Sequence, residues 1–134
     1  MSDLVSVGVL TRTFPPALVD EVIAGCGRTE VRHRSLPARV MAYFAVGMAL
    51  HSEGSYEDVL GLMTDGLAWA DPDAAPLAMP SKSAIFQARE RLGAAPVRAM
   101  FDRVAQPLAT TETPRAWLAG RRLVAIDGTW PTPM

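Results

Sequence analysis

The sequence predicts an all-α fold: a small helical domain of about five helices, followed by an orphan C-terminal β-strand. Apolar residues recur at three- and four-residue spacing in successive segments, which is the periodicity of amphipathic helices. With 134 residues, of which 49% are hydrophobic and 20% charged, the chain can bury the core of one globular domain. We expect the helical domain to span residues 1–109, and a linker and the strand to occupy residues 110–134.

The first two predicted helices differ in how much of their surface is apolar. The first is expected to begin after Thr13, with a proline in its first turn, and to end at Gly25. The second opens at Ser35 and Pro37 and runs to about His51. Its residues are apolar nearly all round, and a helix without a polar face is usually central and buried.

The third predicted helix begins at Ser55, whose hydroxyl group can cap the helix together with Asp58. This segment has the clearest amphipathic pattern in the chain, with one apolar stripe and acidic residues on the opposite side. A linker rich in proline and alanine follows, from Asp71 to Pro80.

Two further helices are expected after that linker. Ser81 is the predicted N-cap of a helix from Lys82 to Leu92, which Gly93 ends. Pro96 then begins a fifth helix that extends to about Ala105. Its expected buried face consists of Val97, Met100, Phe101 and Val104.

A short apolar run from Arg121 to Thr129 is expected to form a strand that carries one carboxylate, Asp127, at its end. Metal-dependent nucleases and transposases use an Asp in that position as a first metal ligand. One carboxylate holds magnesium weakly when the remaining ligands are water. We therefore expect the front portion of a larger enzyme, which is not an enzyme on its own and has no cofactor. We also expect residues from about Thr110 onward to be poorly anchored, because the strand lacks its sheet.

Charge is distributed unevenly, although the formal net charge is only −1. Residues 1–80 carry ten acidic and five basic residues, whereas residues 81–134 carry eight basic and four acidic residues. The acidic half also contains a basic cluster, made of Arg28, Arg32, His33, Arg34 and Arg39. Such local patches are compatible with phosphate binding, and equally with ordinary solvated arginines.

Cysteine content and hydropathy indicate the compartment. Cys26 is the single cysteine, so no internal disulfide can form, which suits a reducing cytoplasm. The uncharged run that begins at Val40 is far shorter than the roughly 18 residues that a membrane span needs. The N-terminus shows no secretory signal pattern. We expect a cytoplasmic protein with no membrane partner.

The fourth predicted helix has a composition suited to the major groove of DNA. On a helical wheel one side is apolar and should pack inward: Ala84, Ile85, Ala88 and Leu92. Ser83, Gln87, Glu90 and Arg91 fall on the opposite side, with Lys82 and Arg89 on one flank. Arginine can read guanine, glutamine adenine and glutamate cytosine, while the N-terminus of a helix can hold phosphate. Many surface helices share this composition.

The preceding helix would complete a helix-turn-helix-like segment. In that arrangement the first helix crosses the DNA backbone while the second enters the groove. The linker before Ser81 is longer than the usual tight turn, so the segment is predicted to be a loose variant.

Five segments share the order and residue types of one known family. They are the basic stretch leading into Ser35-Leu36-Pro37-Ala38-Arg39, the apolar helix after it, Ser55-Tyr56-Glu57-Asp58-Val59-Leu60, Pro80-Ser81-Lys82-Ser83-Ala84-Ile85-Phe86-Gln87-Ala88-Arg89-Glu90-Arg91-Leu92-Gly93, and Leu123-Val124-Ala125-Ile126-Asp127-Gly128-Thr129. Together they resemble the N-terminal region of insertion element 4 type DDE transposases, over roughly residues 5–129.

The resemblance implies an all-helical N-terminal domain that binds double-stranded DNA at the ends of a mobile element. In the family a ribonuclease-H-like domain follows, which cuts and joins DNA with two divalent metal ions held by an Asp-Asp-Glu triad. Asp127 matches the first Asp, a catalytic and metal-binding residue only in a complete enzyme, where magnesium is the cofactor. The second Asp and the Glu have no counterpart here, so the resemblance implies a truncated transposase.

The resulting hypothesis is a DNA-binding module that acts in transposition. The expected contacts to element ends come from Lys82, Ser83, Gln87, Arg89 and Arg91, with phosphate contacts from Arg32, Arg34 and Arg39. A second hypothesis is an interaction protein whose apolar strand pairs with full-length transposase. A third is a gene remnant without a present role.

Overall fold

The computed structural model describes residues 2–31, 36–70 and 78–124, without the side chains of residues 2–6 and 67–70. These ranges contain six helices and one two-stranded antiparallel hairpin, which confirms the predicted small helical domain. None of these helices is both long enough and apolar enough to cross a membrane. The elements are α1 (Ser2–Thr13), α2 (Pro16–Gly25), α3 (Ala38–Leu50), α4 (Tyr56–Ala70), α5 (Lys82–Leu92), α6 (Ala95–Val104), β1 (Trp117–Leu118) and β2 (Arg121–Arg122).

Helix α3 lies at the centre of the bundle, as its almost entirely apolar surface predicts. Four consecutive residues, 41–44, are completely buried, and helices α2, α4, α5 and α6 all pack on α3. The buried Tyr43 hydroxyl donates a hydrogen bond to the Phe14 carbonyl, which follows α1. Burial raises the pKa of Tyr43 to about 12, so its side chain stays neutral in the core.

Local capping interactions set the ends of α4 and α5 where the sequence predicts them. The Ser55 hydroxyl accepts a hydrogen bond from the Asp58 amide at 3.1 Å and donates to the Asp58 carboxylate at 2.7 Å. The Ser81 hydroxyl accepts from the Ala84 amide at 3.2 Å. Gly93 ends α5 with a φ of 70°, a backbone conformation that favours glycine.

Helix α1 corrects the prediction that the first helix begins after Thr13. Its twelve residues include three valines, two threonines and one glycine, all weak helix formers, so the local signal for a helix is poor. Packing on α4 overrides that propensity, because Val7 and Leu10 are buried in the shared core. Gly66 makes the close approach possible: a Cβ atom there would lie 2.1 Å from Cγ1 of Val7.

The buried face of α6 is rotated from the predicted one. Pro96 and Met100 are the buried residues, whereas Phe101 is 59% exposed. Pro96 therefore packs inward instead of only opening the helix. Because successive helical residues are turned by about 100°, a stripe centred on Pro96 and Met100 carries Phe101 toward solvent.

The C-terminal strand is not an orphan in the described part of the chain, which corrects the sequence interpretation. β2 pairs antiparallel with β1, with Trp117 opposite Arg122 and Leu118 opposite Arg121. Ala119 and Gly120 form the turn with φ values of 48° and 75°, as a two-residue type I′ turn requires. Leu123 and Val124 follow β2 as exposed coil, and the rest of the predicted strand lies outside the described residues.

The hairpin region contributes nothing to the described hydrophobic core. The buried apolar residues of the described ranges all fall between Val7 and Met100. The hydrogen bonds described for residues 109–123 stay within that segment. The weak anchoring expected after Thr110 remains a prediction, which hydrogen exchange can test.

Candidate nucleic-acid interface

Helix α5 has one buried side and one exposed side. Ile85, Ala88 and Leu92 are buried, and α3 is the main neighbour of the helix. The exposed arc carries Ser83, Phe86, Gln87 and Glu90. At 3.6 residues per turn these four residues fall within about 100° of one another. The helix therefore presents a narrow face with hydroxyl, aromatic, amide and carboxylate groups, each of which can contact a base edge.

Lys82 and Arg89 lie on one flank of this exposed arc, and each contacts the first turn of α4. The Lys82 ammonium lies 3.5 Å from a carboxylate oxygen of Glu57. The Arg89 guanidinium donates to the Tyr56 hydroxyl at 2.9 Å and lies 5.6 Å from the centroid of the same ring. Tyr56 is itself packed edge-on against the buried Phe44 ring.

Lys82 and Arg89 differ in the charge of the side chains that they contact. Glu57 partly cancels the charge of Lys82, although the Lys82 side chain is 77% exposed. The Tyr56 hydroxyl group and ring hold Arg89 in place, and no carboxylate in the described part of the chain pairs with it. An arginine restrained in this way loses less conformational freedom when it binds a phosphate or a guanine.

Arg91 lies on the other side of α5, beside a carboxylate. Its Nε atom is buried and lies 3.8 Å from Oε1 of Glu30. The Arg91 carbonyl accepts a hydrogen bond from Arg28 at 3.0 Å, which ties the loop after α2 to the end of α5. The base contact predicted for Arg91 remains a prediction, and it requires the guanidinium to turn away from Glu30.

Arg39 forms a two-bond ion pair with Asp20 that joins α3 to α2. Two other arginines show the same pattern: Arg103 pairs with Glu21 at 3.0 Å, and Arg98 pairs with Asp102 at 3.2 Å. The hydrogen bond from Arg103, followed by its charge, lowers the pKa of Glu21 below its ordinary value. We call Arg39, Arg98 and Arg103 the carboxylate-paired arginines. The predicted phosphate contact of Arg39 is untested, and Asp20 competes for the same guanidinium.

Three predicted site residues lie outside the described residues. They are Arg32 and Arg34 in the basic loop, and Asp127 at the end of the predicted strand. In the ranges that the structure does describe, no group of three or more His, Cys, Asp or Glu residues could hold a metal ion. The metal-binding role of Asp127 stays a prediction.

The packing around α5 differs from that of a standard helix-turn-helix. In that motif the two helices are joined by a short turn and pack on each other. Here the described contacts of α5 are mainly with α3, and α4 reaches it through the Tyr56 and Glu57 side chains. Residues 71–77 of the connection are outside the described part of the chain. The central helix α3 therefore supports α5.

Phe86 and Tyr56 belong to this site, although sequence reasoning did not include them. Phe86 is 57% exposed between the polar residues of the arc, where an aromatic ring can contact a thymine methyl group. Its position, about 100° from the buried Ile85, is a signal that a helical wheel contains. Tyr56 has no such signal, because its contact with Arg89 spans 33 residues.

Comparison with known proteins identifies relatives of the chain. Residues 4–102 match the family described as "Insertion element 4 transposase N-terminal". The chain is 36% identical over 119 residues to "Transposase InsG for insertion sequence element IS4" from Escherichia coli strain K12. This match covers 88% of the chain but 25% of the relative. No solved structure matches the chain significantly.

Proposed function

The chain belongs to the family of insertion element 4 transposase N-terminal domains, and from this premise we propose that it binds double-stranded DNA at the ends of a mobile element. The observation that carries the proposal is the exposed face of α5. Polar groups and one aromatic ring lie on its exposed side, above residues that are buried against α3. Arg89 flanks them, held by Tyr56 and without a carboxylate partner among the described residues.

The roles of the α5 side chains follow from their chemistry. Gln87, at one edge of the exposed arc, can make a bidentate contact with adenine, and Glu90 can accept from the cytosine amino group. Phe86 supplies an apolar contact for thymine. Arg89 and Lys82 bind phosphate or guanine, while Ser83, in the first turn, adds a hydroxyl donor to phosphate. Base contacts set the sequence preference, and phosphate contacts supply most of the affinity.

Catalysis belongs to the longer transposase in this proposal. The chain spans a quarter of the length of the E. coli relative that it matches. Asp127 would serve there as the first carboxylate of the Asp-Asp-Glu triad, in a site that binds magnesium. The DNA-binding role concerns α5 and does not depend on that assignment.

The proposal is tested by measuring binding to a duplex from the element terminus and to a shuffled duplex of equal length. We expect the wild-type chain to prefer the terminal duplex, and its affinity to fall steeply with salt concentration. Gln87→Ala should remove about 1–3 kcal/mol of that preference, since one bidentate base contact is lost. Gln106→Ala, at an exposed glutamine after α6, is the matched control and should change nothing. Binding that is absent or insensitive to salt would refute the proposal.

A further inference from the structure

The segment that follows the helical bundle is basic and contains the β1–β2 hairpin, which we call the ribbon. Residues 105–124 contain three arginines, Arg115, Arg121 and Arg122, and a single acidic residue, Glu112. All three arginines are exposed. A net positive, exposed element without a share in the core suits a polyanionic partner.

Contacts with neutral groups fix the shape of this ribbon. Arg122 donates to the Ala109 carbonyl at 2.7 Å, and its guanidinium lies 5.4 Å from the Trp117 ring centroid. The Trp117 indole donates to the Thr110 carbonyl at 2.6 Å. Arg122 therefore closes the segment between residues 109 and 122 without losing its charge to a carboxylate. A preformed ribbon loses less entropy on binding than an unstructured basic segment would.

Arg115 and Arg121 are the cations available to a ligand. Within the described ranges the side chain of neither residue has a hydrogen-bond or ion-pair partner. Arg121 and Arg122 are successive residues of β2, so their side chains leave opposite faces of the ribbon. A two-stranded ribbon fits the major groove of DNA, and Arg121, on the face opposite Arg122, can then reach a phosphate wall of the groove.

We propose that residues 109–124 form a second DNA-contacting element, in which Arg115 and Arg121 bind duplex phosphates and Arg122 positions the ribbon. This inference rests on the proposed DNA-binding function, and adds a contact independent of α5. Because Arg115 and Arg121 contact phosphates in this proposal, the ribbon contributes affinity without sequence preference.

The test is a salt titration of duplex binding by the full chain and by the double variant Arg115→Gln/Arg121→Gln. Each lost phosphate contact should reduce the slope of log K against log salt by about 0.9, so we expect a reduction of about 1.8. The terminal and shuffled duplexes should lose affinity by the same factor. The control Arg98→Gln/Arg103→Gln removes the same number of charges from carboxylate-paired arginines, and should leave the slope nearly unchanged.

The outcomes separate this inference from the proposed function. If the wild type binds no duplex, both fail. A second outcome is that the wild type binds and the preference for the terminal duplex is lost in Gln87→Ala, while Arg115→Gln/Arg121→Gln keeps the wild-type slope. In that case only the proposal for the ribbon is overturned. Equal slope changes in the hairpin and control variants would also overturn it, because total charge would then explain the effect. Circular dichroism of each variant verifies that the helices remain folded.

Discussion

Arginines on two regions of this molecule have different electrostatic partners. Between α2, α3 and α6, the carboxylate-paired arginines contact Asp20, Asp102 and Glu21. At α5 and in the hairpin, Arg89 and Arg122 are held by a tyrosine, a tryptophan and a main-chain carbonyl. The first group joins or stabilises helices and has its charge cancelled. The second group is also positioned, but the partners described for it carry no charge that would cancel that of the arginine, so its positive charge is available to a polyanion.

The largest expected effect on DNA affinity comes from replacing Arg89, whose guanidinium is held by the uncharged Tyr56 side chain. Arg89→Ala should weaken binding to the element-terminal duplex by about 5- to 150-fold, since a positioned guanidinium contact is worth about 1–3 kcal/mol. Fluorescence anisotropy with a labelled duplex measures the loss. Arg98→Ala removes an arginine already paired with Asp102 and should change affinity much less. Equal losses in the two variants would contradict the claim that a carboxylate partner decides how much an arginine contributes to DNA binding.

Helix positions follow from the sequence where the signals are local. Ser55, Ser81 and Gly93 cap helices through neighbours within four residues, and the apolar surface of α3 indicates its central place. Helix α1 is not predictable from local signals, because its stability depends on Val7 packing against Gly66, which is 59 residues away in the sequence.

The candidate site is predictable only in part, for the same reason. The polar face of α5 is visible on a helical wheel. The partners of its cations are not, because Arg89 meets Tyr56 across 33 residues and Arg39 meets Asp20 across 19. The hairpin turn is not predictable from the sequence either, because Ala119 adopts a positive φ, which is rare for alanine. The fold therefore decides which arginines have a carboxylate partner.

The next largest effect concerns Tyr43, in the core beneath the Asp20–Arg39 pair. Tyr43→Phe should lower the free energy of unfolding by about 1–3 kcal/mol, since the Phe14 carbonyl loses its hydrogen-bond donor. DNA affinity at a temperature where both proteins are folded should not change. Urea denaturation measures the difference, and an unchanged midpoint would contradict the buried hydrogen bond.

The raised pKa of Tyr43 also predicts a pH dependence. Burial is the main cause, with a smaller lowering by Arg39 and a smaller raising by Asp20. The folded state holds the neutral phenol more firmly than the unfolded chain does. The wild type should therefore keep this stability below about pH 10 and lose it as the pH rises toward about 12. Tyr43→Phe should lack this loss.

A smaller effect is expected when a carboxylate-paired arginine is released. Asp20→Asn should lower stability by about 0.2–1 kcal/mol, the usual range for an exposed ion pair. It should also raise affinity for shuffled duplexes, because Arg39 regains its net charge. Both quantities are measured on the same preparation. Lower DNA affinity in Asp20→Asn would contradict the view that Asp20 cancels the charge of Arg39.

The smallest effect concerns the exposed pair of Glu21 and Arg103. Because Arg103 lowers the pKa of Glu21, this pair stabilises the fold above the ordinary carboxyl pKa and is lost as the pH falls through the lowered value. Glu21→Gln should therefore reduce the acid dependence of thermal stability slightly. As for Asp20→Asn, it should also raise affinity for shuffled duplexes at neutral pH, because Arg103 loses its carboxylate partner. Identical pH profiles of melting temperature for Glu21→Gln and the wild type would count against the pair.

The most direct test of the central claim compares the salt dependence of duplex binding for the wild type, Arg89→Gln and Arg103→Gln. Both substitutions remove one positive charge from an exposed arginine. We predict that Arg89→Gln lowers the slope of log K against log salt by about 0.9, while Arg103→Gln keeps the wild-type slope. A slope that changes equally in both variants, or only in Arg103→Gln, would contradict the claim that Arg89, which is held by an uncharged tyrosine, binds the DNA.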